Sequence, residues 1–168
     1  IVETVDLTAD DVLLPMMECI VNSIISLKQS DKPTEERTIK VKIIRGSSPK
    51  QISLDNIKTI DSLVITDNGI GFNEKNYKSF ETPFSKMNKE FGCKGIGRFT
   101  VLAAFENLIS KSNYLENGNW YYREFEFNSN DELKPKIFEL SNNEEFKTTI
   151  ELSNCFNEII KEKSALSL

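Results

Sequence analysis

Two polar side chains interrupt an apolar periodic segment near the start of the 168-residue chain. Glu18 and Asn22 are four residues apart, so on a helix their side chains share one face. A glutamate in that position can polarise a water as a general base, and an asparagine carbonyl oxygen suits a hard cation such as Mg²⁺. The alternative is a solvent-edge pair joined by a helical hydrogen bond, worth about a few tenths of a kcal/mol.

Five of the seven glycines fall in two short clusters. The first, from Asp67 to Gly71, follows an apolar strand. Its carboxylate can accept a hydrogen bond from the exocyclic amine of a base, or it can cap its own glycine turn. The second, from Gly92 to Arg98, precedes a helix, where free N–H groups and the helix dipole attract an anion. A flexible loop is the alternative there, and the Walker A pattern fails because Arg98 and Phe99 replace Lys-Ser/Thr.

Helices and antiparallel strands must position these residues. Apolar periodicity predicts a helix over residues 10–29, kinked at Pro15 or beginning near it, with Met17, Val21 and Ile24 buried. Asn73 can cap a short helix that ends at residue 80, a mobile loop covers residues 81–92, and a buried helix covers residues 97–107. Strands are predicted at residues 38–45, 62–66, 108–114, 120–127, 136–140 and 148–152, with a hairpin turn at Asn117-Gly118. This order indicates an α+β fold with helices on one face of a largely antiparallel sheet.

The three segments together resemble the GHKL superfamily of ATPases, which includes gyrase B subunits, heat-shock-ninety chaperones, histidine kinases and MutL. Glu18 to Asn22 matches its helical Glu-x-x-x-Asn motif, and Asp67 to Gly71 matches Asp-x-Gly-x-Gly. The segment beginning at Gly92 matches the glycine-rich end of the lid. Its sequence Lys-Gly-Ile-Gly-Arg-Phe most resembles that of bacterial heat-shock-ninety-like ATPases.

A threonine on a late strand is a fourth motif of the superfamily. Thr148 is similar to it, although Lys147 replaces the usual preceding glycine. A departure is Ile25-Ser26, which stands where many members carry the Asp-Ala that supports the base pocket. The resemblance implies a Bergerat-type two-layer sandwich, with helices on one face of a mixed, mostly antiparallel sheet. It implies a single ATP-binding domain over residues 1–168, with a lid at about 73–95. Because the sequence starts at Ile1 rather than Met, we expect it to be a fragment of a longer protein.

The resemblance also implies a role for each matched residue. Glu18 would activate the attacking water, and Asn22 would ligate Mg²⁺ that bridges the phosphates. Asp67 would bind the adenine amino group, with Gly71 beside the base and Thr148 supporting the base through a water. The other implied nucleotide-binding residues are Gly69, Lys86, Lys94, Gly95, Ile96, Gly97 and Arg98.

These roles predict an enzyme that binds Mg-ATP and hydrolyses it slowly, driving lid closure and a conformational or dimerisation switch. Two alternatives remain: a protein kinase module of the anti-sigma or histidine-kinase type, and a non-hydrolysing nucleotide-sensing module. The implied cofactors are ATP and Mg²⁺. The implied partners are adenine nucleotide, further domains of the same chain and a second copy in an ATP-dependent homodimer.

The composition of the chain argues against several kinds of ligand, catalytic site and location. A net charge of −5 and a pI near 5.0 argue against nucleic acid as a direct ligand of this domain. The absence of histidine excludes a Ser–His–Asp triad and His-rich zinc sites within the sequence. Three cysteines without a Cys-x-x-Cys pair predict a reducing cytoplasm, and no apolar run is long enough for a bilayer. Abundant Lys, Ile and Asn suggest a bacterial source.

Overall fold

The computed structural model describes residues 7, 13–46, 59–82, 97–130, 132–141, 144–157 and 160. Helices in this part of the chain are α1 (Leu14–Lys28), α2 (Glu74–Glu81) and α3 (Gly97–Leu102), with a 3-10 turn at Thr34–Glu36. The strands are β1 (Ile39–Arg45), β2 (Ile60–Asp67), β3 (Phe105–Glu116), β4 (Asn119–Asn128), β5 (Lys136–Glu139) and β6 (Lys147–Cys155).

The six described strands form one sheet in the order β1-β2-β6-β3-β4-β5. Every described strand pair is antiparallel. The last strand, β6, lies between β2 and β3. Alternate residues of β2, β6, β3 and β4 turn the same face toward the helices, and there they form one apolar core with Met16, Tyr77 and Val101. The predicted α+β architecture, with helices on one face of an antiparallel sheet, is confirmed.

Helix α1 begins at Leu14, one residue before Pro15. Pro15 lies in the first turn, where a missing backbone N–H costs nothing, so the interpretation of a helix that begins near Pro15 is confirmed. The predicted burial of two α1 side chains is wrong: Met17 is 45% exposed and Ile24 is 39% exposed. The sheet-facing side of the helix instead follows residues 16, 19, 23 and 27, because those positions recur once per turn on one face.

The predicted helix over residues 97–107 is too long. Helix α3 ends at Leu102 and β3 already begins at Phe105. Two short-range bonds tighten the end of the helix, from Ala103 N to Thr100 O at 3.2 Å and from Ala104 N to Val101 O at 3.0 Å. Ala104 O then accepts from Phe156 N, directly after β6, at 3.0 Å, and β3 pairs with β6 from Phe105 onward, so contact with a distant strand accompanies the end of the helix.

Two local turn signals give the predicted structures. Asn117 and Gly118 join β3 to β4 with φ of 50° and 84°, the positive values that a two-residue hairpin needs. Asn73 caps α2, its Oδ1 accepting from Asn76 N at 2.9 Å.

Of the predicted lid at about 73–95, the described part is helix α2 and the residues directly beside it. Among the described residues, no helix has both the length and the apolar character to cross a membrane.

Candidate functional site

A buried hydrogen bond joins helix α1 to the end of β2. The Ser23 hydroxyl donates to Asp67 Oδ2 at 2.7 Å, across 44 residues of sequence. Ser23 directly follows Asn22 and lies on the helix that carries Glu18, so the fold brings the predicted catalytic helix to the predicted base-binding carboxylate. Ser23 was not among the residues singled out from the sequence, although its place beside Asn22 was a usable signal.

Asp67 is buried and holds two hydrogen bonds on different oxygens. Besides Ser23, the Gly69 N–H donates to Oδ1 at 2.9 Å, which confirms the turn-capping interpretation of this carboxylate. Burial raises the pKa of Asp67, and the hydrogen bonds from Ser23 and Gly69 oppose that rise. Each carboxylate oxygen has two lone pairs, so Asp67 can still accept from an amino group. Its binding to adenine stays a prediction.

The glycines of this turn are required by packing. A Cβ on Gly69 would lie 2.4 Å from Ser26 Oγ and 2.7 Å from the carbonyl carbon of Ser26 in α1. Gly71 has φ +75°, and its Cβ would lie 2.5 Å from Ser112 Oγ and 2.8 Å from Asn113 O in β3. The turn is thus wedged between α1 and the sheet, and the Gly71 N–H donates to Ser26 Oγ at 3.3 Å. Whether these glycines also contact a nucleotide stays a prediction.

Ile25 and Ser26, which stand where many GHKL members carry Asp-Ala, have different surroundings in this structure. Ile25 is buried, so an apolar side chain fills the position of the usual aspartate. Ser26 holds the glycine turn through its hydroxyl and through its carbonyl oxygen, which accepts from Ile70 N at 3.4 Å. In this chain, Ser26 and Ser23 are therefore the polar links from α1 to the turn.

Four buried polar residues stand side by side across the sheet. The strand register aligns Asp67, Thr148, Ser112 and Arg123 on β2, β6, β3 and β4, and we call this set the polar row. The Ser112 and Thr148 hydroxyl oxygens are 2.9 Å apart, and Phe72 N donates to Ser112 Oγ at 2.9 Å. The predicted site residues Asp67 and Thr148 are thus neighbours, and the row ties both to the glycine turn.

Arg123 ends the polar row as a fully buried cation, 1% exposed. Its guanidinium donates to Phe72 O at 2.8 Å, to Asn73 O at 3.1 Å and to Glu74 Oε2 at 2.8 Å. It also lies 4.5 Å from the ring centre of Tyr77. Arg123 therefore fixes the start of α2 to the sheet. The sequence offered no local signal for it, because an arginine between glutamate and tyrosine on a strand usually faces water.

Glu18 and Asn22 lie one helical turn apart on α1. Glu18 is partly buried, and this burial raises the pKa of its carboxyl. Asn22 is exposed, so its amide oxygen is accessible to a ligand. No cluster of three or more acidic or cysteine side chains that could hold a metal occurs in the described ranges. A single amide oxygen nevertheless fits nucleotide-bound Mg²⁺, which takes its other ligands from phosphates and water.

The implied nucleotide-binding residues from Lys86 to Arg98 stay predictions. Lys86, Lys94, Gly95 and Ile96 lie outside the described residues. Gly97 and Arg98 form the first turn of α3, and only their backbone is described.

Comparison with known proteins supports the fold. No family model matches the chain, and no curated protein matches it in sequence. A solved structure of the ATPase and transducer domains of DNA topoisomerase II from Balamuthia mandrillaris matches with a TM-score of 0.59 and 17% identity. The match covers 89% of this chain and 38% of that one, so the chain spans well under half of its neighbour. At this identity the likeness shows the fold alone: the chain shares its α+β architecture with part of that ATPase and transducer structure.

Proposed function

We propose that this chain binds Mg-ATP between α1 and the polar row and hydrolyses it slowly to ADP and phosphate. The observation that carries the proposal is the 2.7 Å bond from Ser23 to Asp67. It brings together two motifs that are far apart in sequence and that a Bergerat-type site needs side by side. The resulting site has a buried acceptor at Asp67 for the adenine amino group, next to a helix that presents Asn22 and Glu18.

Each residue has a chemical reason for its role. Asp67 is shielded from water, so a hydrogen bond from an amino group to it is stronger than at the surface. Glu18 acts as the base, and its raised pKa makes the carboxylate a better proton acceptor than an ordinary glutamate. Asn22 offers one oxygen to the metal. Bound Mg²⁺ would neutralise phosphate charge as the γ-phosphate is transferred to water.

The wider behaviour of the protein belongs to the same proposal. Nucleotide binding closes a lid at about 73–95 and drives a conformational or dimerisation switch, in a cytoplasmic protein with further domains. The match to part of a longer ATPase and transducer structure supports the presence of further domains. A particular closeness to bacterial heat-shock-ninety-like ATPases rests on the Lys-Gly-Ile-Gly-Arg-Phe wording from Lys94 to Phe99.

Calorimetry and phosphate release test the proposal with three variants. Glu18→Gln should bind Mg-ATP within about threefold of wild type and release phosphate at least roughly 100-fold more slowly, because it keeps shape and loses the base. Asp67→Asn should weaken ATP binding roughly 10- to 100-fold through loss of a charged acceptor. Glu139→Gln, on the exposed edge strand β5, is the control and should match wild type.

The outcomes separate the alternatives. Binding without hydrolysis by wild type would redirect the assignment to a nucleotide-sensing module, or to a kinase if a partner protein becomes phosphorylated. Absence of nucleotide binding by wild type would overturn the proposal.

The pH dependence of hydrolysis tests Glu18 separately. A base works only when ionised, so the rate should fall as the pH drops through the pKa of Glu18. Because burial raises that pKa, the fall should be centred above the ordinary value of 4.5. The rate of phosphate release at saturating Mg-ATP, measured from pH 4.5 to 8, gives the midpoint. A rate that stays constant over this range would contradict the assignment of Glu18 as base.

A further inference from the structure

The hydroxyl groups of Ser112 and Thr148 share a single hydrogen bond in the middle of the polar row. Their oxygens are 2.9 Å apart, and either can be the donor on distance alone. Ser112 Oγ also accepts from Phe72 N at 2.9 Å. A hydroxyl has one hydrogen to give and two lone pairs, so the remaining bonds decide the direction.

The two directions leave different groups without a partner. If Thr148 donates, the Ser112 hydrogen has no acceptor among the described residues, at a side chain that is 0% exposed. If Ser112 donates, the hydrogen left over belongs to Thr148, which is 4% exposed and in register with Asp67. An unpaired hydrogen is costly in a fully buried place and can be satisfied where a ligand or water reaches it. The second direction is therefore the favoured one.

We propose that Ser112 is a positioning residue that fixes the Thr148 hydroxyl as a donor beside Asp67, and so sets the preference of the site for adenine over guanine. The inference rests on the proposed nucleotide binding. Asp67 accepts and Thr148 donates, and adenine presents an amino donor next to a ring-nitrogen acceptor. Guanine presents a carbonyl acceptor in place of the amino group, which opposes the Asp67 carboxylate. A bridging water preserves this polarity, since a water that accepts from Thr148 donates onward.

Ser110 provides a matched control for Ser112. It lies two residues away on β3, on the same side of the strand, and is likewise 0% exposed. Its hydroxyl oxygen has no hydrogen-bond partner among the described residues. Ser110→Ala therefore removes the same atom from the same kind of place without removing a bond, whereas Ser112→Ala removes the bonds to Thr148 and to Phe72 N.

The test compares affinities for Mg-ATP and Mg-GTP by calorimetry. Ser112→Ala should lose roughly tenfold in ATP affinity, with a comparable fall in the ratio of ATP to GTP affinity, as expected for one hydrogen bond. Ser110→Ala should keep both affinities within about twofold of wild type. Equal ratios in the two variants would overturn the role of Ser112 while leaving ATP binding intact. Wild type that binds neither nucleotide would overturn the proposed function and this inference with it.

A double-mutant cycle separates positioning from general loosening of the fold. Thr148→Val removes the hydroxyl on which Ser112 is proposed to act. In the Thr148→Val background, Ser112→Ala should then change ATP affinity by less than about twofold, because the hydroxyl that Ser112 is proposed to position is no longer there. Additive losses would overturn the proposal. If Ser112→Ala does not fold, Ser112→Cys, with similar shape and weaker hydrogen bonding, takes its place and should show an intermediate fall in the ratio.

Discussion

The two faces of the central sheet carry similar residues in neighbouring rows, with different consequences. The polar row (Asp67, Thr148, Ser112, Arg123) faces the helices. The next row, Thr66, Thr149, Lys111 and Glu124, crosses the same four strands on the opposite face, and we call it the outer row. Each row has two residues with a hydroxyl group, one acidic residue and one basic residue. The polar row is buried, and the outer row is partly or fully exposed.

Burial changes what a bond between such residues is worth. In the outer row, the Thr66 and Thr149 hydroxyl oxygens are 3.3 Å apart, and Glu124 pairs with Lys136 at 3.6 Å. Water can replace these partners, so each contact contributes little. The polar row is buried, so water replaces a lost partner less readily and the group left behind can stay unsatisfied. Neighbouring positions of one strand therefore differ in role because, in the part of the chain that the structure describes, the helices pack on the face that carries the polar row.

The largest difference is expected between the two cations. Arg123→Met should lower the free energy of unfolding by about 3 kcal/mol, because Phe72 O and Asn73 O lose their buried donor. Lys111→Met, in the exposed outer row, should change the free energy of unfolding by less than about 0.5 kcal/mol. Urea denaturation followed by circular dichroism measures both. Similar losses in the two variants would show that the helix layer does not distinguish the rows.

The two adjacent threonines on β6 give a finer comparison. Thr148→Val should cost about 1 kcal/mol, because Ser112 loses its hydroxyl partner inside the core. Thr149→Val should lie within about 0.5 kcal/mol of wild type, since its partner Thr66 can turn to water and valine suits a strand. The same urea titrations measure this pair. A larger loss for Thr149→Val than for Thr148→Val would reverse the comparison.

The smallest effect is expected where the polar row reaches the surface at Glu74. The hydrogen bond from Arg123 is the main cause that lowers the pKa of Glu74. A lowered pKa in the folded state gives stability that is present above the ordinary value of 4.5 and lost as the pH falls through the lowered pKa. The Glu74 side chain is 51% exposed, so the contribution should stay below about 1 kcal/mol.

Unfolding measured between pH 2 and 7 on wild type and Glu74→Gln checks this sign. The difference between the two proteins should shrink as the pH falls. Glu124→Gln in the outer row is a positive control. The hydrogen bond from Tyr122 is the main cause that lowers the pKa of Glu124, so the stability difference between this variant and wild type should also shrink as the pH falls. A difference that grows toward low pH would contradict the assignment for Glu74.

Local signals predicted the elements whose ends depend on neighbours in sequence. Pro15 in the first turn of α1, the Asn73 cap and the Asn117-Gly118 hairpin all act over a few residues, so a single sequence contains them in full. The boundary between α3 and β3 depends on β6, about fifty residues later, and no residue near Ala104 indicates it. The exposure of Met17 likewise depends on which side of α1 meets the sheet.

The sequence by itself determined which chemical groups the candidate site contains: a helical Glu18 and Asn22, the strand-end Asp67 and the late-strand Thr148. Their order and spacing carried the resemblance to GHKL ATPases, while the order of the periodic segments predicted the α+β fold. Only the tertiary structure decided their supports, since Ser23, Ser112 and Arg123 act through bonds that span 36 to 51 residues of sequence. A serine or an arginine has the same identity in water and in a core. Its role is set by whether the fold removes water from around it.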